Sequence, residues 1–228
     1  MTEEQVNAIV LFGAPGSGKG TQAKRLSDCL HVPHVSTGEI LRQRIRSGAE
    51  NGSVAATMHS GDLVADDLVN RLVEERLSRP DAAAGFILDG YPRTTAQAEH
   101  LRGWFDAHRI QEVVIYLSID YNVVIARLRG RRQCSHCGAL YNSVSQPPRV
   151  EGVCDLDGHP LVIREDDREE VIRERLDAYR RQTSPVLEYF RAAGNRVRDV
   201  DAGDAPPEEI YRKIVRALEW HDRTEDCR

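Results

Sequence analysis

Short apolar runs rich in β-branched residues alternate along this chain with longer segments in which apolar residues recur every three or four positions. The short runs are typical of buried strands in a parallel sheet, and the longer segments of helices that bury one face. The predicted strands are Ala8–Phe12, Phe86–Leu88, Val113–Leu117, Val197–Val200 and a shorter one at His34–Ser36. The predicted helices are Thr21–Leu30, Gly38–Ser47, Asp66–Leu77, Thr95–His108, Asn122–Leu128, Glu169–Ala192 and Pro207–His221. The alternation predicts an α/β fold in which helices flank both faces of a five-stranded parallel sheet.

One segment interrupts the alternation. Between about Gly130 and Asp167 the chain carries cysteines, prolines and glycines where a strand and a helix would otherwise follow. We therefore predict a small module that is inserted into the α/β domain.

A glycine-rich loop directly follows the first predicted strand. Residues 13–21 read GAPGSGKGT, and a helical segment begins at their end. Glycines let the backbone turn tightly, so that several N–H groups and the N-terminus of the helix face one anion. Lys19 can then reach the β- and γ-phosphates of a nucleotide, and Thr21 can help to arrange its magnesium ion. The usual loop has Ser or Thr directly after the lysine, and Gly20 takes that position here.

Composition narrows the class of protein. The 228 residues are 40% hydrophobic and 29% charged, with a net charge of −5, which is typical of a soluble protein and argues against a surface that coats nucleic acid. No apolar run approaches the roughly 20 residues of a membrane span, and the N-terminal run is too short for a secretory signal. We therefore expect a cytoplasmic protein without a membrane partner, whose five cysteines do not form a disulfide framework.

Three cysteines of the inserted segment have the spacing of a metal site. Cys134 and Cys137 form a CxxC pair, and Cys154 follows after sixteen intervening residues. Asp157 stands where a second pair would have its last cysteine, so that three thiolates and one carboxylate can enclose a tetrahedral ion. The competing candidates for the fourth position are His136, Asp155 and His159. Four protein ligands leave no open position, and we therefore predict a structural site for zinc, with iron as the alternative metal.

Two groups of arginines flank the inserted segment. They are Arg127, Arg129, Arg131 and Arg132 before it and Arg164, Arg168, Arg173 and Arg175 after it. Arginines at the two ends of an insert, in a chain that also has a phosphate loop, are typical of cationic clamps on a phosphoryl group in transfer. We expect the neighbouring Asp166 and Asp167 to pair with these arginines or with the insert.

Six segments occur in a characteristic order and spacing along nearly the whole chain. They are GAPGSGKGT at 13–21, STGEILR at 36–42, SGDLVADDLV at 60–69, LDGYPRT at 88–94, GRR at 130–132 and REDDREE at 164–170. In these segments the chain resembles the adenylate kinase family, specifically its long-lid bacterial members with a zinc-binding lid. The resemblance implies a P-loop NTPase-type fold with a core at 1–35, 66–129 and 168–228, an insert that binds the nucleoside monophosphate (NMP) at 36–65, and a zinc-binding lid at 130–167.

The resemblance also implies the reaction, in which the γ-phosphoryl group of ATP passes in line to AMP and gives two ADP. The implied ATP site comprises Gly16, Ser17, Gly18, Lys19, Gly20, Thr21, Arg127, Arg131, Leu140, Tyr141 and Ala205. The implied AMP site comprises Thr37, Arg42, Leu63, Val64, Gly90, Tyr91, Pro92, Arg93, Gln97, Arg164 and Arg175. The catalytic set is Lys19, Arg93, Arg127, Arg131, Arg164, Arg175 and Asp89, the last of which would organise water around the Mg²⁺ ion that accompanies ATP.

The implied chemistry needs no side-chain base, because the phosphate of AMP is already an anion at neutral pH. Catalysis would then rest on positioning and on charge stabilisation. An alternative within the same class is a kinase for UMP or CMP. An alternative from another class is a zinc ribbon that binds nucleic acid, with the loop as a nucleotide sensor. The acidic net charge and the near absence of aromatic residues among the arginines argue against that alternative. We expect a monomer whose partners are ATP, AMP and ADP.

Overall fold

The computed structural model describes residues 7–50, 52–203 and 205–218. Five strands form the main sheet: β1 (Ala8–Gly13), β2 (His34–Ser36), β3 (Phe86–Asp89), β4 (Glu112–Ser118) and the last strand of the chain, β8 (Arg196–Asp201). They lie in the order β2-β3-β1-β4-β8, and every neighbouring pair is parallel. The predicted five-stranded parallel sheet is therefore confirmed.

The helices are α1 (Lys19–Leu30), α2 (Thr37–Arg46), α3 (Gly52–Ser60), α4 (Asp66–Leu77), α5 (Thr95–His108), α6 (Tyr121–Gly130), α7 (Glu169–Ala178), α8 (Ser184–Ala192) and α9 (Pro207–Ala217). Helix α3 was not predicted, because it buries only Val54 and therefore shows no apolar periodicity. The last predicted helix extended to His221, of which residues 219–221 lie outside the described part of the chain.

The long helix predicted at 169–192 is two helices. A π-helical turn at Tyr179–Thr183 separates α7 from α8. Pro185 lies in the first turn of α8 and has no N–H to donate to the carbonyl group one turn earlier. The regular series of α-helical backbone hydrogen bonds is therefore interrupted between α7 and α8.

Side chains of the central strand β1 pack on both faces of the sheet. Ala8, Val10 and Phe12 belong to one core, together with residues of α4, α5 and α8. Ile9 and Leu11 belong to a second core, together with residues of α1 and α9. None of these five residues is more than 2% exposed. Burial on both faces fixes β1 in the middle of the sheet and fixes where the loop at its end lies.

The inserted segment folds as a small second sheet between α6 and α7. Its antiparallel strands are β5 (Arg131–Cys134), β6 (Leu140–Asn142) and β7 (Leu161–Val162), in the order β6-β5-β7. Strands this short leave no readable alternation in the sequence, which is why they were not predicted. Its buried core contains only Cys134, Tyr141 and Cys154. Among the described residues, no helix of the protein has the length and apolarity needed to cross a membrane.

Candidate active site

A large cleft opens at the carboxyl ends of the main strands. Its cavity volume of about 1710 Å³ exceeds the roughly 300–1,000 Å³ of a pocket for one small ligand. Strand β1 lies between β3 and β4 in the sheet, and in open parallel sheets the crevice beside such a strand is where ligands bind. The cleft is therefore large enough, and in the expected position, for two nucleotides.

Nearly all of the residues predicted to bind nucleotides line this cleft. They are Gly16, Gly18, Lys19, Gly20, Thr21, Thr37, Arg42, Leu63, Val64, Asp89, Gly90, Tyr91, Pro92, Arg93, Gln97, Arg127, Arg131, Leu140, Tyr141, Arg164, Arg175 and Ala205. Ser17 is the exception, because it is fully buried beneath the loop.

The glycine loop joins β1 to α1 in a conformation that needs its glycines. Gly16 and Gly18 have backbone φ angles of +81° and +98°, which residues other than glycine rarely adopt. A Cβ atom at Gly13 would lie 2.7 Å from the carbonyl oxygen of Leu117. Helix α1 begins at Lys19, whose Nζ donates hydrogen bonds to the carbonyl oxygens of Gly13 (2.8 Å) and Ala14 (2.9 Å). The lysine thus closes the loop over the N-terminus of the helix.

The structure gives a physical reason for Gly20. A Cβ atom there would lie 3.2 Å from Oδ2 of Asp89, which is the last residue of β3. Any side chain after Lys19 would therefore press on this carboxylate. Glycine at this position avoids that contact.

His34 contacts the same carboxylate and was missed by the sequence analysis. Its Nε2 lies 3.3 Å from Oδ2 of Asp89. Only the parallel pairing of β2 with β3 brings the two residues together, and no local motif signals it. Burial by itself would raise the pKa of Asp89, but the hydrogen bond with His34 and the charge of Lys19 outweigh burial and hold the pKa below its ordinary value.

A buried carboxylate pairs with arginines from both ends of the insert. The side chain of Asp167 is fully buried. Its Oδ2 accepts a hydrogen bond from Nε of Arg131 at 2.6 Å, and its Oδ1 accepts one from Arg175 at 2.7 Å. Arg175 also lies 3.2 Å from the carboxylate of Asp166. The acidic pair therefore binds the arginines, as the sequence analysis expected.

Burial in the cleft lowers the pKa of several of its cations, whereas at Arg131 the neighbouring Asp167 outweighs burial and raises the pKa. Burial lowers the pKa of Lys19 to about 8, against the opposing charge of Asp89. Burial also lowers the pKa of Arg93 to about 10 and that of Arg164 to about 9, and neighbouring arginines add to both shifts. Groups with such pKa values gain most from an incoming anion, which is typical of a functional site.

Gln97 is held rigidly in the wall of the cleft. Its Oε1 accepts a hydrogen bond from the backbone N–H of Arg93 (2.7 Å), and its Nε2 donates one to Oδ1 of Asp66 (2.7 Å). The hydroxyl of Thr94 donates to Oδ2 of Asp66 at 2.8 Å. Thr94 also caps helix α5 by accepting from the N–H of Gln97 at 3.1 Å. Asp66 was not among the predicted site residues, because its partner lies on a distant helix.

Arg127 and Ala205 lie together on another side of the cleft. A guanidinium nitrogen of Arg127 donates to the carbonyl oxygens of Ala202 (3.0 Å) and Gly203, and lies 3.5 Å from that of Ala205. The loop after β8 is therefore tied to α6, next to the phosphate loop.

The predicted metal ligands also meet in the structure. The ligand atoms of Cys134, Cys137, Cys154 and Asp157 all lie within 4.8 Å of one another. Cys137 Sγ and Cys154 Sγ are 3.6 Å apart, and Cys134 Sγ is 3.3 Å from Oδ1 of Asp157. Zinc–ligand bonds of the usual length set these edges of a tetrahedron at about 3.8 Å and 3.5 Å. The four groups thus fit a zinc ion.

The side chains of the competing candidates for the fourth ligand do not join the three cysteines. The carboxylate of Asp155 accepts a hydrogen bond from the backbone N–H of Arg149 at 2.9 Å. His136 and His159 form a separate group with Asp157 and are not part of the cysteine cluster.

Fold and site together define a P-loop phosphotransferase, with a glycine loop after the first strand, a lysine at its end and cations around a two-nucleotide cleft. A family model for adenylate kinase matches residues 11–195. The adenylate kinase of Thermosipho melanesiensis is 43% identical to the chain, that of Methanocella arvoryzae 46% and that of Anaeromyxobacter dehalogenans 48%. Each alignment covers 92% of this chain, and it covers 98%, 97% and 98% of the three relatives, respectively.

The chain belongs to the adenylate kinase family. Its reaction is the reversible transfer of a phosphoryl group from ATP to AMP, which gives two ADP. Kinases of this family use Mg²⁺ together with ATP. The chain is thus a nucleoside monophosphate kinase, as the sequence predicted.

The lowered pKa of Lys19 predicts unusual reactivity toward amine reagents, which attack only the neutral form. Because the pKa is about 8, we expect the acetylation rate of Lys19 to reach half of its maximum near pH 8, measured by peptide mass spectrometry. ATP should suppress the reaction, since bound phosphates favour the charged form and cover the amine. Lys213 is the internal control, because it lies on α9 outside the cleft lining with a side chain that is 36% exposed, and ATP should leave its labelling unchanged. A midpoint above pH 10 for Lys19 would contradict the prediction.

Proposed function

We propose that the cleft binds ATP and AMP together, and that the cations between them stabilise the phosphoryl group during its transfer. The observation that supports this most directly is the convergence of Lys19, Arg93, Arg131, Arg164 and Arg175 on one cavity, although they come from distant parts of the sequence. Positioned cations of this kind stabilise the charge that a phosphoryl group carries in transfer.

The ATP half of the proposed site is built on the glycine loop. Gly16, Gly18, Lys19, Gly20 and Thr21 line the cleft at the N-terminus of α1 and would hold the phosphates, with Ser17 supporting the loop from below. Arg127 and Ala205 lie beside each other and would border the adenosine part, together with Leu140 and Tyr141 of the insert.

The AMP half of the proposed site lies beside α2. Thr37, Arg42, Leu63, Val64 and the segment 90–93 line this part of the cleft. The hydroxyl of Thr37 donates to the carbonyl oxygen of Gly90 at 2.8 Å, which holds α2 against the end of β3. The amide of Gln97 has a donor and an acceptor in the same wall, and such a pair can discriminate between bases by hydrogen bonding.

The proposed mechanism uses position and charge. The attacking oxygen of AMP is already ionised, so that no side chain has to remove a proton. Lys19, Arg93 and Arg131 would neutralise charge on the transferring group, while Arg164 and Arg175 would hold the acceptor in line. Bound together with ATP, Mg²⁺ would supply further positive charge, and Asp89 would organise its water, with the room that Gly20 leaves beside the carboxylate.

We also propose that the insert is a lid at 130–167 and that its cysteine cluster holds a structural zinc ion through Cys134, Cys137, Cys154 and Asp157. The support is the fit of the four groups to a tetrahedron and the scarcity of other buried side chains in the insert. The corresponding division of the chain gives an NMP-binding insert at 36–65 and a core at 1–35, 66–129 and 168–228.

The proposal includes the setting in which the enzyme works. We propose a cytoplasmic monomer that has no nucleic-acid or membrane partner. The acidic net charge of −5 supports this proposal, since proteins that bind nucleic acid through their general surface are usually basic.

The proposed AMP site predicts a clear preference among acceptors. In a coupled assay of ADP formation, AMP should be the best acceptor of a panel with CMP, UMP and GMP at equal concentration. The change Gln97→Leu should raise the KM for AMP and reduce the preference for AMP over the other three acceptors, because it removes the hydrogen-bond donor and acceptor of the side-chain amide. Thr95→Ala, at the start of the same helix and outside the cleft lining, is the control and should change neither value. Equal rates with all four acceptors would contradict the assignment.

The charge-stabilising role predicts the effect of removing single arginines. Arg93→Ala and Arg131→Ala should each lower kcat by about 100- to 1,000-fold, the usual cost of losing one positioned donor to the transition state. Arg132→Ala is the control for Arg131, since Arg132 is the next residue, lies outside the cleft lining and donates to backbone carbonyl oxygens. Thermal unfolding of each variant separates lost catalysis from lost folding. Near-normal turnover in both Arg93→Ala and Arg131→Ala would refute the role.

The zinc site predicts a metal-dependent lid. Removal of the metal with a chelator should expose residues 130–167 to a protease, because the insert has little other core. Asp157→Asn should weaken zinc binding by about tenfold or more, measured by competition with a chromophoric chelator. Asp155→Asn is the matched control, because this carboxylate bonds to a backbone N–H instead of joining the cluster. Equal zinc affinity in the two variants would exclude Asp157 as the fourth ligand.

A further inference from the structure

Gln133 lies in the central strand of the small sheet in the insert. Strand β5 is paired on both sides, and Gln133 stands opposite Leu140 of β6 and Val162 of β7. The residue is partly buried, and it lies outside the lining of the cleft. Two neighbouring strands therefore fix its backbone, and any effect of its side chain on a nucleotide has to pass through another residue.

The side-chain amide of Gln133 has one partner at each end. Its Oε1 accepts a hydrogen bond from Nε of Arg164 at 2.7 Å, and its Nε2 donates one to the carbonyl oxygen of Gly138 at 3.1 Å. A guanidinium group can only donate and a carbonyl oxygen can only accept, so that both partners require the same orientation of the amide. The amide oxygen therefore faces Arg164.

The carbonyl group that orients this amide is itself held in place. Gly138 has a φ angle of +75°, and its N–H donates to the carbonyl oxygen of Cys134 at 3.2 Å. The N–H of Cys134 donates to the carbonyl oxygen of Ala139 at 2.9 Å. Gln133 directly precedes Cys134, so that the amide and the group that orients it belong to one hydrogen-bonded turn. The side chain of Gln133 is thus a fixed acceptor for Arg164.

Arg164 has a different kind of partner from the arginines that flank it in the cleft. Arg131 and Arg175 contact the carboxylate of Asp167. Among the described residues, the guanidinium group of Arg164 forms no ion pair, and its hydrogen bond with Gln133 uses Nε alone. A neutral amide does not cancel the positive charge, and the two terminal nitrogens can bind a phosphate through parallel hydrogen bonds. The contact therefore orients the guanidinium group and leaves its charge available.

We propose that Gln133 is a positioning residue of the phosphoryl transfer, which orients Arg164 toward the phosphate of AMP without neutralising it. The proposal rests on the role of Arg164 at the acceptor, as proposed above. A flexible guanidinium group would have to be ordered when AMP binds, and that ordering costs free energy. The contact with Gln133 orders the group beforehand. Its loss should therefore weaken the use of AMP and leave the binding of ATP at the glycine loop unchanged.

The experiment measures kcat/KM for AMP and KM for ATP in Gln133→Met. Methionine is unbranched and of similar length, but its thioether is only a weak acceptor, so that the variant loses the hydrogen bond with little change in volume. We expect kcat/KM for AMP to fall about tenfold or more, the usual effect of losing one hydrogen bond to a charged group, with KM for ATP unchanged. Gln43→Met is the matched control, because Gln43 is exposed on α2 outside the cleft lining. The control should change neither value.

A double-mutant cycle tests whether Gln133 acts through Arg164. The same change is made in an Arg164→Ala protein, in which no guanidinium group is left to orient. In that background, Gln133→Met should change kcat/KM for AMP by less than about twofold, the variation expected between positions that do not interact. A merely structural contribution of Gln133 to the insert would instead lower kcat/KM by the same factor in both backgrounds.

Normal use of AMP by Arg164→Ala would refute the proposed role of Arg164 at the acceptor, and this inference with it. A clear loss in Arg164→Ala together with normal activity of Gln133→Met would overturn the positioning role alone. An equal loss from Gln133→Met in both backgrounds, or a rise in its KM for ATP, would also overturn that role and would leave Gln133 as a structural residue of the insert.

Discussion

This cleft has to hold several positively charged side chains close together. The rest of the structure depends on the contacts that offset their mutual repulsion. Cationic side chains from both ends of the sequence line one cavity, where the low dielectric strengthens their repulsion. Asp167 offsets it most directly, with a fully buried side chain that accepts hydrogen bonds from Arg131 and Arg175. Lys19 is held by carbonyl oxygens of its own loop. Oxygen atoms of the protein itself thus make the contacts with these cations that phosphate oxygens could also make.

The carboxylate of Asp167 lies where the insert joins the main sheet. Arg131 begins β5 directly after α6, and Asp167 ends a short 3-10 turn directly before α7. Both connections of the insert therefore meet at one carboxylate. A phosphate offers an arginine the same forked geometry as a carboxylate does.

Sequence reasoning recovered what local patterns and fixed spacings encode. The strands of the sheet were predicted because burial on both faces requires short apolar runs. The glycine loop and the cysteine cluster were predicted because each requires particular residues at fixed spacings. Helix α3 and the short strands of the insert leave no periodic pattern, and the turn before Pro185 depends on one missing N–H. His34 and Asp66 could not be found at all, since their contacts with Asp89 and Gln97 arise only from the pairing of distant elements.

The insert combines two kinds of bond that respond differently to a substrate. Its buried core is little more than Cys134, Cys154 and Tyr141, which is too few side chains to offset the entropy of ordering the segment. Metal–thiolate bonds can supply that order, and phosphate does not compete for them. The contacts of Asp167 with Arg131 and Arg175 are the ones for which phosphate does compete. With the proposed zinc bound, metal–thiolate bonds would hold the insert together internally, whereas contacts between arginines and Asp167 join it to the main sheet.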